Sequence, residues 1–72
     1  MHDDTVQIRL EIDRRDIAYL VSLFEGYDSL AVVRTLDNTR GLVELMVAPD
    51  FLDDTRRLLA ALKEEMPLTL VP

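Results

Sequence analysis

Residues 6–16 read Val6-Gln-Ile-Arg-Leu-Glu-Ile-Asp-Arg-Arg-Asp16, and residues 42–53 read Leu42-Val-Glu-Leu-Met-Val-Ala-Pro-Asp-Phe-Leu-Asp53. Each is an alternating apolar run that leads into Asp-x-x-Asp and then into a helical stripe. In the first, Val6, Ile8, Leu10 and Ile12 alternate with Gln7, Arg9 and Glu11. A period of two marks a strand with one face buried. Asp13 is placed to cap a helix, its carboxylate accepting from amides that have no intrahelical partner, and Asp16 adds negative charge at the positive end of the dipole. Ile17, Leu20, Val21 and Phe24 follow on one helical face. Gly26 suits a C-cap with positive φ.

Each half closes with another strand-like run, Leu30 to Leu36 and Leu68 to Val71. Between Leu36 and Leu42 lies Asp37-Asn-Thr-Arg-Gly41, a connection ending in glycine that fits a hairpin with an irregular or bulged turn. Pro49 and Asp50 open the second helix, proline being tolerated where the first amides need no acceptor. Its core stripe is Leu52, Thr55, Leu59, Leu62 and Met66, flanked by Phe51 and Leu58, and Pro67 stops it.

The order is therefore β-α-β-β-α-β. Short connections and right-handed crossovers give an α+β class, ferredoxin-like sandwich: a four-stranded antiparallel sheet, order 4-1-3-2, with two helices on one face. Residues 1–4 read as a disordered tail and residues 5–72 as one domain. Val6, Ile8, Leu10, Val43, Leu45 and Val47 are expected to face the helices. Arg9, Glu44 and Arg34 then line up across strands 1, 3 and 2 on the open face, beside Val32, Leu42, Met46 and Val71.

Seventy-two residues hold one core, which at this size rarely yields more than roughly 3–5 kcal/mol. The chain has no cysteine for a disulfide and a single histidine, His2. Self-association is the economical source of further buried area. The net charge of −6, with no Lys/Arg cluster, sets the chain against phosphate backbones and acidic membrane surfaces. No segment reaches the roughly 18 apolar residues that cross a bilayer. The start Met1-His-Asp-Asp4 is acidic and no apolar h-region follows, which favours the cytoplasm.

No residues form a metal-ligand cluster of Cys and His, a glycine-rich phosphate loop, or a nucleophile with a histidine to activate it. The reading is non-enzymatic, with no cofactor and no metal. Asp50, Asp53 and Asp54 at a helix start complement its dipole. Three roles fit the Arg9–Glu44–Arg34 ladder: a solvated charge pattern, part of a protein interface, or an anion site. Strand 2 has neither proline nor lysine, so a bare apolar edge calls for a cover, most simply a second copy. Tyr19 and Leu23, one turn apart and off the core stripe, either extend that contact or pack against helix 2.

With this order in place, the chain resembles the ACT-type branch of the ferredoxin-like fold over nearly its whole length. The segment Leu30-Ala-Val-Val-Arg-Thr-Leu-Asp37, followed by Gly41 and an apolar strand, is also similar to a family of short uncharacterised bacterial proteins. The resemblance implies side-by-side association, and binding of amino acids or other small effectors near the turn between strand 1 and helix 1. Ligand-binding members usually carry glycine there; this chain has Ile12-Asp13-Arg14-Arg15-Asp16 instead. RNA-binding members need exposed aromatics on the central strands, and none occurs here. The expectation is a homo-oligomeric association module, a dimer or higher, acting on itself or on another protein. Its surface is Tyr19, Leu23, Val32, Arg34, Arg9, Glu44 and Met46. The alternative is an effector sensor holding an amino-acid-type ligand through Asp13, Arg14 and Arg15.

Overall fold

The computed structural model describes residues 5–26 and 30–72; the tail expected at residues 1–4, with His2, lies outside them. Strand β1 spans Val6–Ile12, helix α1 Ile17–Glu25, strand β2 Ala31–Asp37, strand β3 Leu42–Val47, helix α2 Leu52–Glu65 and strand β4 Leu68–Val71. The sheet runs β2-β3-β1-β4, which from the other edge reads 4-1-3-2, and every neighbouring pair is antiparallel. The fold is α+β, a four-stranded open sheet with two helices.

Alternation decides which face is buried. Leu10, Ile12, Val43, Leu45, Val47, Ala31 and Leu68 form one core with Leu20 and Phe24 of α1, Leu59 and Leu62 of α2, and Met66 just past its end. Both helices therefore pack on the same side. Neither starts at its capping aspartate. Asp13 does cap, its Oδ1 accepting from the Arg15 amide at 3.0 Å, but what it caps is a 3-10 turn, Arg14–Asp16, and α1 begins at Ile17. Pro49–Phe51 forms a matching 3-10 turn, so α2 begins at Leu52 rather than at Pro49 or Asp50.

The two glycines behave differently. Gly26 ends α1 at φ −85°, its amide still donating to the Ser22 carbonyl at 3.0 Å. The left-handed cap expected there is not used, because the last turn stays right-handed. Gly41 is the glycine that takes a positive φ, +71°. It closes the β2–β3 hairpin, where the pairing slips between Thr35 and Asp37, leaving Leu36 as a bulge.

One core group is out of keeping. Thr55 is fully buried on the inner stripe of α2, and its Oγ1 has no hydrogen-bond partner. A buried hydroxyl left unmatched costs about 1–3 kcal/mol. Thr55→Val keeps the β-branched shape and removes the hydroxyl, so it should stabilise the domain by about 1 kcal/mol. In a domain of this size that is a rise of about 4–8 °C in melting temperature. A thermal melt showing no change or a fall would mean the hydroxyl is satisfied.

Candidate functional site

The face of the sheet away from the helices carries the charge ladder. Arg9 stands opposite Glu44 in the β1–β3 register, and Arg34 stands opposite Glu44 in the β2–β3 register. The Arg9 Nε donates to Glu44 Oε2 at 3.1 Å. Glu44 is only 6% exposed although no layer covers this face; its neighbours on adjoining strands shield it. Arg34 is exposed on the other flank and forms no ion pair with Glu44. Val32 pairs with Met46 one step along; Val32 is 54% exposed and Met46 half-buried. Half-buried Leu42 and Val71 complete the apolar share.

A further ion pair on this face escaped the sequence reading. Arg40, in the hairpin turn, reaches Glu11 on β1 with Nη2 and Nε at 2.6 and 3.1 Å from one carboxylate oxygen. Only the tertiary fold brings these residues together, since 29 positions separate them. The open face thus holds Arg9, Arg34 and Arg40 against Glu11, Asp37 and Glu44. It is locally balanced in a chain whose net charge is −6.

The structure separates the other predicted residues from this face. Tyr19 and Leu23 sit on α1, across the sheet from the ladder. Tyr19 is 48% exposed, while Leu23 packs half-buried against the core. In the turn, Asp13 Oδ1 is taken by the Arg15 amide and Oδ2 lies 3.3 Å from Arg15 Nε. Arg14 is exposed beside them.

The two sheet edges also differ. The Ile12 amide donates to the Gly41 carbonyl at 2.9 Å, so even-numbered β1 residues turn their backbone groups toward β3. In an antiparallel ladder these directions alternate. Carried across the sheet, the rule turns the Val33 amide outward on β2 and the Leu68 and Leu70 backbone groups outward on β4. Val33 bears this out, because its amide donates to Glu25 Oε2 at 2.7 Å. The end of α1 therefore covers the middle of the β2 edge, for which the sequence suggests a second copy as the simplest cover.

The family described as Domain of unknown function (DUF4911) matches residues 10–66, well over half of the chain. The chain belongs to the DUF4911 family. No curated protein and no solved structure matches it. The matched stretch of this DUF4911 domain includes Arg34 and Glu44 but leaves Arg9 and β4 outside. Among its described residues, no helix is long and apolar enough to cross a membrane.

The Arg9–Glu44 pair of the DUF4911 domain is asymmetric in burial, and that fixes how its variants should rank. The Glu44 side chain is 8% exposed and that of Arg9 53%. Removing the cation strands a buried carboxylate; removing the carboxylate releases an arginine that water already reaches. Arg9→Met should cost about 1–2 kcal/mol, Glu44→Leu less, and the double variant about as little as Glu44→Leu alone. Urea unfolding of the four proteins checks this, and an Arg9→Met cost below that of Glu44→Leu would refute it.

Proposed function

We propose that this domain is a non-enzymatic association module that works as a homo-oligomer through the open face of its sheet. One observation carries the reading. Glu44 lies buried in the middle of an uncovered face, engaged by Arg9 on one flank only, with Arg34 unpaired on the other and Val32, Leu42, Met46 and Val71 around them. Such a mixture of apolar side chains and oriented charge suits partial burial against a second surface. Charge supports a copy of the same chain as that surface. An excess of six negative charges makes two copies repel, except where cations balance the acids, and on this face three arginines offset Glu11, Asp37 and Glu44.

The β2 edge gains less support, since a second chain pairing there has to displace Glu25 from the Val33 amide. The effector reading at residues 12–16 also gains little. Asp13 already spends both oxygens on Arg15, and no glycine in the turn lets a ligand approach the backbone.

Sedimentation velocity at tens of micromolar tests the proposal. The wild type should run as a dimer or larger. Val32→Asp places a charge at the most exposed apolar position of the face, and should give a monomer with unchanged circular dichroism. A wild type that stays monomeric at 100 micromolar would overturn it.

A further inference from the structure

On the helix side of the sheet, between α2 and the β4 edge, lies a hollow of about 290 Å³, and a second of about 390 Å³ continues it past the end of β4 along Val6 to Arg9, to Val71 and Pro72. They share Arg56, Leu59 and Leu70. The floor is apolar, formed by Leu59, Ala60, Leu68 and Leu70, and Leu70 is 55% exposed. Arg56 and Lys63 border it from α2, and neither forms an ion pair among the described residues. No carboxylate side chain lines either hollow. In a chain with 14 acidic residues and 8 basic ones, an apolar groove between α2 and β4 whose charged lining residues are Arg56 and Lys63 alone is a local reversal of charge.

The strand beside this groove is the open edge. Leu68 and Leu70 turn their amides and carbonyls outward, with Pro67 and Pro72 limiting the free edge to this short stretch. Among the described residues, no side chain is hydrogen-bonded to this edge as Glu25 is at β2. A segment that pairs with β4 therefore sets alternate side chains against the Arg56–Ala60–Lys63 stripe of α2.

We propose that the β4 edge and its groove bind a short extended acidic segment of a partner protein by strand addition. Backbone pairing at Leu68 and Leu70 supplies the register, and the side chains facing α2 supply the selectivity. Arg56 and Lys63 are seven residues apart, about 10 Å along a helix at 1.5 Å per residue. Acids four residues apart on one face of a strand are about 13 Å apart, which the two long basic side chains can span. The residue midway between them meets Ala60 and Leu70. The pattern recognised is acid-x-apolar-x-acid.

A second copy of this chain fits the groove poorly. Pairing β4 with β4 across a two-fold axis sets Arg56 and Lys63 beside their own counterparts, and no acid lines the surface to offset them. The net negative charge of the domain does not forbid an acidic partner. Salt screens the interaction between exposed charges over about 8 Å at physiological ionic strength, whereas the molecule is 34 Å long.

The test is a ¹⁵N-correlation titration of the full chain with blocked heptapeptides Thr-Glu-Thr-X-Thr-Glu-Thr, X being Leu, Val or Phe, and with their lysine counterparts. At least one acidic peptide should shift the Ala60, Lys63, Leu68 and Leu70 amides and slow exchange at Leu68 and Leu70. Arg56→Glu/Lys63→Glu should weaken binding at least about tenfold, about 1.4 kcal/mol, while Arg34→Glu on the open face leaves it unchanged. The proposal fails if no acidic peptide shifts β4 at millimolar concentration, or if the lysine peptides bind equally well. It also fails if decanoate shifts the groove when the peptides do not, or if the Leu68 and Leu70 amides of the free protein are already protected by a second copy. No open-face residue lines the groove between α2 and β4, so the two surfaces stand or fall separately.

Discussion

Gly41→Ala should abolish the folded state at 25 °C, because two separate penalties meet at one position. The first is conformational: at φ +71°, a left-handed backbone costs an L-residue about 1–2 kcal/mol. The second is steric. A Cβ on Gly41 would come within 1.8 Å of the Ile12 carbonyl oxygen. That atom belongs to the backbone of a central strand and cannot swing aside like the tip of a side chain. Relief means separating the hairpin from β1, which breaks the 2.9 Å bond from the Ile12 amide to the Gly41 carbonyl. Together these match or exceed the roughly 3–5 kcal/mol that a core of this size supplies. Gly41→Asn tells the two penalties apart. Asparagine tolerates the left-handed region well, so a purely conformational cost would leave it nearly as stable as the wild type. The clash predicts that Asn fails as Ala does. Circular dichroism and urea titration decide it, and a cooperatively folded Gly41→Asn would remove the steric argument.

Position 41 also shows what kind of information the sequence carries. A glycine at the end of a polar connection between apolar runs signals a bulged hairpin, and the bulge at Leu36 is there. The reason that no other residue fits is the approach of Ile12, 29 positions away, which nothing local reveals. The same division runs through the chain. The period-two alternation in residues 6–12 and 42–47 settles both central strands and their faces, and with the connection lengths it sets Arg9, Glu44 and Arg34 in one row. Element starts were less legible. Asp13 and Pro49 are genuine start signals, yet each opens a 3-10 turn before the helix proper. Polar contacts outside the alternating rows were not legible: Arg40 on Glu11 and Glu25 on the Val33 amide link residues with no periodic relation. The groove beside β4 was missed for a similar reason. Leu70 has the parity of a core residue, opposite Leu10, and only the placement of α2 leaves it more than half exposed.

These long-range contacts give the two sheet edges different chemistry. At β2 the carboxylate of Glu25 occupies an outward amide, an intramolecular guard of the kind that keeps edge strands from pairing promiscuously. At β4 the guard consists of prolines on either side and a short span, which limits pairing without preventing it. An acidic side chain closes one edge, and basic side chains rim the other. Non-specific edge pairing is thus suppressed at β2, while β4 stays selective by charge.

Phe24→Ala should be the most damaging core substitution, and its concentration dependence bears on function. Phe24 is fully buried and is one of only two buried residues of α1, the other being Leu20. A nine-residue helix is too short to persist alone, since isolated helices below about 12–15 residues are marginal in water. Its existence depends on docking. Truncating a buried phenylalanine to alanine costs about 3–5 kcal/mol through lost burial and the cavity left behind, as much as the whole domain has to give. When α1 undocks, Glu25 leaves the Val33 amide and the β2 edge is bared, so the expected result is loss of the cooperative transition followed by aggregation. The milder Phe24→Leu keeps most of the apolar volume and should fold with a lowered midpoint. If the open face forms an oligomer, association stabilises the folded state by mass action, and the Phe24→Leu midpoint climbs with protein concentration. A Phe24→Leu midpoint that is the same at 1 and 100 micromolar means the folded state is monomeric, and the association proposal falls with it.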